Sequence, residues 1–460
     1  MSKMLRSAAL AVVAAFLFAT PCRSATKLKI RGYITAKPDA QTLQILDDTI
    51  HLTSSTRFDV QNAGEEPRHL RLEDLATGLL IEAEGHWTAR HQFAAESITC
   101  DAAQFGRQLK EHAYLQTEPA EAGEIATGQP ARLKVDGEIL ALGEKTQRDW
   151  KPGAPGAETA TEKENAGARL VGRQVHYEGV RQPDGTIAAE RVELGPGAPA
   201  DAYKIPGGIS VARRADPQTG IDVLEFDKGD KVQGRLKLFD VKEVQRYVTD
   251  LGFSLLPPAK DVTARALEFR FFVVEDEHIN AAAFPDGTIL INTGLLGAVE
   301  NEAELAFVLS HEIAHVLQAH QWREANETRA KRVALVVAAV AGAYFIGNLS
   351  LFLGELGMAA VVNGYSRRIE NQADRLGLQN VVDHGYDPRA AVTFFRTTVE
   401  HYRDRSTSSL WSNHDSSLLR GSFITTQLAR EYPAGQFDHS IVDTDRFKAM
   451  KEAMGPVKIM

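Results

Sequence analysis

The chain has 460 residues, of which 43% are hydrophobic and 25% charged, and its formal net charge is −9. Single compact domains rarely grow beyond about 300 residues, so we expect two or three domains. The composition is ordinary for a soluble protein and excludes wholesale disorder and a multi-span membrane protein. The acidic balance provides no basic field that could gather phosphates, so we expect no nucleic-acid partner.

Residues 1–24 have the pattern of a signal peptide. Two basic residues precede an uncharged run, Ala8 to Ala19, and small residues follow up to Ser24. The run is shorter than the ~20 residues of a spanning helix, which favours cleavage after Ser24 over a permanent anchor. Lipidation at Cys22 is a further alternative. Cleavage leaves Cys100 as the one cysteine, which is typical of a bacterial periplasm, so we expect a periplasmic or secreted protein.

Residues 28 to about 196 are rich in short alternating segments and turn residues, which predict strands. One pattern occurs twice at identical spacings, which predicts two copies of a small β unit. The first copy contains Gly78, Glu84, Gly85 and 93–98, and the second contains Gly172, Glu178, Gly179 and 187–192. Five or so strands per copy suggest small barrels of the OB type. Because the region lacks a basic, aromatic face, a spacer or protein-docking module is favoured over nucleic-acid binding.

The domain boundaries follow from changes in pattern. We predict one β-barrel-like repeat over residues 25–110 and a second over residues 125–200. Prolines and glycines in residues 201–235 predict a linker. Beyond them the periodicity changes from that of strands to that of helices, so we predict a mainly helical domain over residues 236–460. The predicted fold class is α+β.

The clearest helix spans residues 302–321. Asn301 is a suitable N-cap and Glu304 completes a capping box, and an apolar stripe follows. His311 and His315 lie four residues apart, so both imidazoles can share one metal ion. They belong to the string H-E-x-x-H, in which Glu312 follows the first histidine. A pair of core histidines bonded to the backbone is the alternative.

A second string, in residues 365–374, carries Glu370 and Asp374 one helical turn apart. H-E-x-x-H followed by a helix with E-x-x-x-D resembles the gluzincin metallopeptidases, and the sequence around Glu370 is similar to the HtpX, BepA and CAAX prenyl endopeptidase family. The resemblance implies a zincin-type domain with one zinc ion, to which Glu370 is the third ligand after the two histidines. Asp374 would then orient His311. A solvated acidic helix face is the alternative.

Residues 271–292 predict a hairpin that leads into the metal helix, with a turn at residues 285–287. Asn280 and Ala281 precede this turn. They resemble the family's N-A-x-x-x-P-x-G segment, which implies that the strand borders the cleft and pairs with an extended substrate. A purely structural hairpin is the alternative, and both roles are compatible.

His414 opens a segment that ends at Arg420 and resembles the family's histidine-proline segment, with Asp415 in place of the proline. The resemblance implies that His414 lies near the metal. There it would stabilise the oxyanion of the reaction or occupy the open coordination position in a latent enzyme.

Residues 333–362 form a largely apolar segment that contains a single charged residue, Glu355. The predicted metal ligands lie on both sides of this segment, so a single membrane crossing would separate them. Two core helices behind the site are favoured, and a helical hairpin that dips into the bilayer is the alternative, which would give peripheral membrane contact.

These features together predict a zinc-dependent endopeptidase that hydrolyses exported or misfolded proteins, with Glu312 as the general base. The alternative function is a periplasmic or outer-membrane quality-control or assembly factor with latent or rare proteolysis. Polypeptides, either unfolded or from the cell envelope, are the expected partners in both cases. The sequence leaves the oligomeric state open.

Overall fold

A computed structural model describes the chain in residues 28–61, 70–101, 113–126, 131–135, 138–150, 173–182, 186–257, 267–327, 365–402, 414–432 and 435–459. The fold is mixed α+β, with strands in the N-terminal part and mainly helices in the C-terminal part, as predicted. The predicted signal peptide and the apolar segment 333–362 lie outside the described residues. Within the described residues, no helix is long and apolar enough to cross a membrane.

The first β unit is a seven-stranded sheet. Its strands are β1 (Leu28–Tyr33), β2 (Ala36–Asp39), β3 (Thr42–Ile45), β4 (Asp48–His51), β5 (Arg57–Gln61), β6 (Leu80–Ala89) and β7 (Gln92–Asp101). The strand order is β1-β6-β7-β4-β3-β2, and β5 pairs in parallel with β7. Alternate residues of β1, β3 and β4 are buried, which is the pattern of strands with one face on a core.

The second β unit closes into a barrel with the order β10-β12-β11-β8-β9. Its strands are β8 (Ala113–Ala126), β9 (Ala131–Val135), β10 (Glu138–Trp150), β11 (Arg173–Arg181) and β12 (Ile187–Gly197). The barrel has a small core of its own, which includes Leu133, Tyr177 and Val192.

The repeated sequence pattern corresponds to one hairpin in each unit. The hairpin of β6 and β7 changes register between Glu84 and Gly85, and that of β11 and β12 between Glu178 and Gly179. A Cβ atom on Gly85 would lie 2.0 Å from the carbonyl oxygen of Ala94, and one on Gly179 2.5 Å from that of Ala188. The repeated Glu-Gly pair therefore marks a bulge at which the backbones approach too closely for a side chain.

The prediction of a linker over residues 201–235 is wrong. These residues begin with the 3-10 turns Ala200–Tyr203 and Pro206–Gly208 and continue into an antiparallel sheet of β13 (Ile209–Ala215), β14 (Asp222–Lys228) and β15 (Lys231–Lys237). Two glycines in this range lie in tight turns between the strands, with φ of 72° at Gly220 and 59° at Gly229.

The C-terminal part combines a small mixed sheet with helices. Its strands are β16 (Arg270–Val274), β17 (Ala281–Ala283) and β18 (Thr288–Asn292), in the order β16-β18-β17. The helices are α1 (Lys242–Ser254), α2 (Thr293–Ala298), α3 (Glu302–Leu317), α4 (His320–Glu327), α5 (Arg367–Asp383), α6 (Arg389–Tyr402), α7 (His414–Glu431) and α8 (Asp445–Met454). The antiparallel pair of β17 and β18 is the predicted hairpin.

One hydrophobic core joins the first β unit to the helices. It runs from Ile30 and Phe93 in the sheet to Leu309 and Phe395 in the helices. Polar contacts reinforce the junction, since the backbone N–H of Tyr33 donates to Ser422 Oγ over 3.0 Å. The first β unit is therefore packed directly on helix α7.

Candidate metal centre

Helix α3 carries the H-E-x-x-H string through the interior of the domain. Asn301 caps the helix, accepting a hydrogen bond from the backbone N–H of Glu304 over 3.0 Å. The Glu304 carboxylate accepts a hydrogen bond from the backbone N–H of Glu300, whereas a regular capping box would use the N–H of Asn301. Every residue from Glu302 to Val316 is buried, so the helix is enclosed by the rest of the domain on all its faces.

The predicted single helix over residues 302–321 is interrupted. Helix α3 ends at Leu317, Ala319 has a φ of 49°, and α4 begins at His320. Such a left-handed φ is uncommon for a residue with a Cβ atom. The break was not predicted because no glycine or proline marks it.

Three donor groups converge beside this helix. His311 Nε2 and His315 Nε2 lie 2.9 Å apart, and the carboxylate oxygens of Glu370 lie 3.5 Å from the first and 3.9 Å from the second. Donor atoms around a tetrahedral zinc ion stand about 3.4 Å apart, given metal–ligand bonds of about 2.0–2.1 Å. The donor set and its spacing therefore fit a divalent metal ion. Among the described residues, His311, His315 and Glu370 are the group of potential metal ligands whose donor atoms lie close enough together to share one ion.

Asp374 and Arg420 fix the orientation of His311. Asp374 Oδ1 lies 3.0 Å from His311 Nδ1, and the Arg420 guanidinium donates to both carboxylate oxygens of Asp374 over 2.7 and 3.0 Å. Burial alone would raise the pKa of the Asp374 carboxyl, but Arg420 and His311 together hold that pKa below its ordinary value. The ionised carboxylate accepts the Nδ1–H of His311, which leaves the Nε2 lone pair facing the other donors.

Arg420 also contacts the third donor. Its Nη1 lies 3.0 Å from Glu370 Oε2, and its guanidinium stacks on the ring of Phe395 at 4.8 Å. In the sequence, Arg420 was only the last residue of the segment that begins at His414. Its distance of 46 residues from Asp374 gave no local signal for this contact.

Glu312 lies beside the donors in a water-poor position. Burial raises the pKa of its carboxyl to about 7, and the negative charge of Glu370 adds to the rise. His311, Arg420 and a hydrogen bond from the backbone N–H of Ala283 act in the opposite direction. A carboxyl group with a pKa near neutrality can both accept and return a proton.

Two aromatic residues that the sequence did not single out enclose His315. The ring of Tyr365 stacks on it, with centroids 4.3 Å apart, and His320 Nδ1 lies 2.9 Å from His315 Nδ1. Burial, together with the neighbouring His311, His320 and Arg420, lowers the pKa of His315 well below its ordinary value. A neutral imidazole is the form that binds metal.

The structure places Asn280 and Ala281 on the hairpin beside the metal helix. Asn280 is buried, and its Oδ1 atom has no hydrogen-bond partner among the described residues. Ala281 lies in β17, the edge strand whose Ala283 bonds to Glu312. The predicted pairing of this strand with a substrate stays a prediction.

His414 is the first residue of helix α7. Its side chain lies outside the described part of the structure. The predicted role of His414 near the metal therefore stays a prediction.

Two regions of the chain match models of known protein families, and one of them contains this site. Residues 243–428 match the model of peptidase family M48, and this range contains all the donor groups together with Glu312 and Arg420. Residues 31–99, in the first β unit, match a domain of unknown function, DUF5666.

Individual relatives also match part of the chain. The beta-barrel assembly-enhancing protease of Escherichia coli K12 is 28% identical over 190 residues, which is 39% of this chain and 38% of that protein. A Vibrio cholerae protein described in the same way is 35% identical over 170 residues, 35% of this chain and 34% of that one. The mitochondrial metalloendopeptidase OMA1 of Schizosaccharomyces pombe is 33% identical over 129 residues, which is 28% of this chain and 37% of that protein. The chain thus spans little more than a third of these curated relatives.

Proposed function

Because residues 243–428 match the model of peptidase family M48, we propose that the chain belongs to this family and is a zinc-dependent endopeptidase. One zinc ion per chain is held by His311 Nε2, His315 Nε2 and the carboxylate of Glu370. The observation that carries this proposal is the convergence of these three groups at 2.9–3.9 Å with a buried carboxyl, Glu312, beside them. Three protein ligands and an open fourth position are typical of catalytic zinc rather than structural zinc.

The reaction is the addition of water to a peptide bond. Zinc, when bound, supplies Lewis acidity that makes water more acidic and polarises the peptide carbonyl. Glu312 takes the proton from the attacking water and then delivers it to the leaving amine. In the metal-free site, burial raises the pKa of the Glu312 carboxyl to about 7, and a carboxyl group that titrates near neutrality can both accept a proton and return it.

Asp374 and Arg420 support the ligands without touching the substrate. The Asp374 carboxylate keeps His311 in the tautomer whose Nε2 can bind metal. Arg420 neutralises this buried carboxylate and holds Glu370 in place. A buried charge without such a partner would be strongly unfavourable.

The hairpin beside the metal helix supplies the substrate-binding edge in this proposal. An extended polypeptide adds to strand β17, where Asn280 and Ala281 bind its backbone. The Oδ1 atom of the buried Asn280, which has no hydrogen-bond partner within the described part of the chain, is a group that a substrate N–H can satisfy. His414, at the start of helix α7, serves as an oxyanion donor or as the ligand of a latent state.

The biological setting is a further part of the proposal. We infer that residues 1–24 direct export, that the enzyme works in the periplasm or as a secreted protein, and that it cleaves unfolded or envelope proteins. The second β unit, the five-stranded barrel, is of the OB type, and both β units dock proteins. Residues 333–362 either pack as core helices or touch the membrane surface. The alternative of an assembly or quality-control factor with rare cleavage is supported by relatives described as beta-barrel assembly-enhancing proteases.

The decisive comparison is between the full wild-type chain and Glu312→Gln. Both proteins should bind one zinc ion, and the variant should cleave an unfolded casein-type substrate at least about 100-fold more slowly, as expected for loss of a general base. Glu300→Gln, an exposed change just before the same helix, is the matched control and should cleave normally. Zinc binding by both proteins without cleavage by either would favour the assembly factor, and absence of zinc from wild type would contradict the proposal.

A further inference from the structure

His320 lies fully buried behind the second metal-ligating histidine. Its Nδ1 atom is 2.9 Å from His315 Nδ1, and the two rings meet edge to face with centroids 4.8 Å apart. Its other ring nitrogen, Nε2, is 3.0 Å from Gln372 Oε1. His320 is outside the H-E-x-x-H string and has no donor atom at the metal position.

These contacts determine which nitrogen atoms carry protons. Gln372 Oε1 can only accept, so His320 Nε2 carries a proton and donates it. In a neutral His320, the Nδ1 atom then carries a lone pair, which accepts a hydrogen bond from the Nδ1–H of His315. The remaining nitrogen of His315, Nε2, therefore keeps its lone pair on the side of His311 and Glu370.

Gln372 is itself oriented by a further amide. Its Nε2 donates to Gln318 Oε1 over 3.5 Å, which places its oxygen toward His320. Both glutamines are buried. If the Gln372 amide were reversed, the proton order would also reverse, and His315 Nε2 would carry a hydrogen that excludes a metal ion. The glutamine pair thus selects the proton arrangement that suits metal binding.

The interruption between helices α3 and α4 makes this contact geometrically accessible. On an unbroken helix, residues five positions apart are rotated by about 140° and point away from each other. Ala319 lies just after the end of α3, and its left-handed backbone turns His320 back under His315. The uncommon φ at a residue with a Cβ atom is consistent with a functional reason for the break.

We propose that His320, held by Gln372, is a positioning residue that fixes the metal-binding tautomer of His315. It is the neutral counterpart of Asp374, which performs the same task for His311 through a charge. This inference rests on the proposed function, because it presumes that His315 binds the metal. His320 belongs to neither of the two sequence strings that contain the ligands, so the inference adds a residue to those that position the site.

Zinc affinity of the metal-depleted full chain, measured by competition with a chelating indicator, tests the proposal. His320→Leu keeps most of the ring volume but removes the acceptor, and it should weaken zinc binding 10- to 100-fold. His320→Asn retains an acceptor near the position of Nδ1 and should restore most of the affinity. The control is His384→Leu, because His384 bonds to the backbone of Asn380 at the far end of helix α5. The His384→Leu protein should bind zinc with wild-type affinity.

Nitrogen-15 NMR of the histidine rings tests the same point on the wild-type chain, so a misfolded variant cannot obscure the result. We expect His315 to carry its proton on Nδ1 and His320 on Nε2. The opposite assignment, or wild-type zinc affinity in His320→Leu, would overturn this inference while leaving the proposed function intact. Failure of the wild-type chain to bind zinc would instead defeat the proposed function.

Discussion

At the scale of single residues, the site depends on which charges are buried and which are paired. Asp374 is completely buried yet ionised, because Arg420 bonds both of its oxygens. For Glu312, burial is the largest influence and raises the pKa of its carboxyl to about 7, although Arg420 acts in the opposite direction. The pKa of Asp374 is thus lowered, which keeps it ionised as a partner of His311, whereas the pKa of Glu312 is raised, which suits proton transfer.

The raised pKa of Glu312 predicts how stability of the metal-free chain varies with pH. An ordinary glutamate releases its proton near pH 4.5, whereas folded Glu312 holds it to about pH 7. The folded state therefore binds a proton that the unfolded state releases, and its stability falls as pH rises through this window. Glu312→Gln should raise the free energy of unfolding by up to about 3 kcal/mol at pH 8 and by little at pH 4.5.

Urea unfolding of the chelator-treated proteins at the two pH values measures this difference. Glu300→Gln, the exposed control, should change stability little at either pH. An equal effect of Glu312→Gln at both pH values would show that the carboxyl titrates normally in the folded chain.

The residue scale also shows what the sequence could and could not predict. The H-E-x-x-H spacing places His311 and His315 on one helix face, and the E-x-x-x-D spacing does the same for Glu370 and Asp374, because the members of each pair lie one helical turn apart. That the two pairs share one site is implied by the resemblance to the metallopeptidase family and does not follow from spacing. Tyr365 and His320 were missed. The contact of His320 depends on the left-handed Ala319, for which the local sequence carries no glycine or proline signal.

At the scale of elements, helix α7 joins the metal site to the first β unit through three consecutive residues. Arg420 bonds to Asp374, Gly421 packs tightly between neighbouring elements, and Ser422 accepts the N–H of Tyr33. A Cβ atom on Gly421 would lie 2.8 Å from Leu46 Cδ1 and 2.9 Å from Phe395 Cβ. The helix therefore has little freedom to move away from either partner.

Gly421→Ala should overpack this contact. We expect it to lower the free energy of unfolding by about 1–3 kcal/mol and to weaken zinc binding, because the added methyl group displaces the helix that holds Arg420. Chemical unfolding and zinc competition provide the two measurements. Gly143→Ala is the matched control, since a Cβ atom there would meet only Thr146 Oγ1, at 3.9 Å. Equal unfolding midpoints for Gly421→Ala and wild type would contradict this view of α7.

Elements were predictable to the extent that their patterns are local. The capped start of α3, the hairpin and the strand-rich N-terminal part follow from periodicity and turn residues. The sheet of β13 to β15 was taken for a linker, because its turns contain the same glycines that a linker would contain. Only its packing, in a core that joins Phe226 to Phe284, distinguishes the two.

At the scale of the whole molecule, the two β units have different relations to the helices. The first shares one continuous hydrophobic core with them, and ion pairs such as that between Arg396 and Asp47 lie across the junction. The barrel has a separate core. The repeated sequence pattern predicts two similar units but does not indicate these different relations, because they depend on surfaces far apart in the chain.

The central claim, a zinc site made by His311, His315 and Glu370, is tested most directly by anomalous scattering at the zinc absorption edge from crystals of the zinc-loaded full chain. We predict one peak within bonding distance of the two Nε2 atoms and the Glu370 carboxylate, with Glu312 beside it but outside the bonds. A peak at other residues, or no peak between these three groups, would contradict this assignment of the metal site.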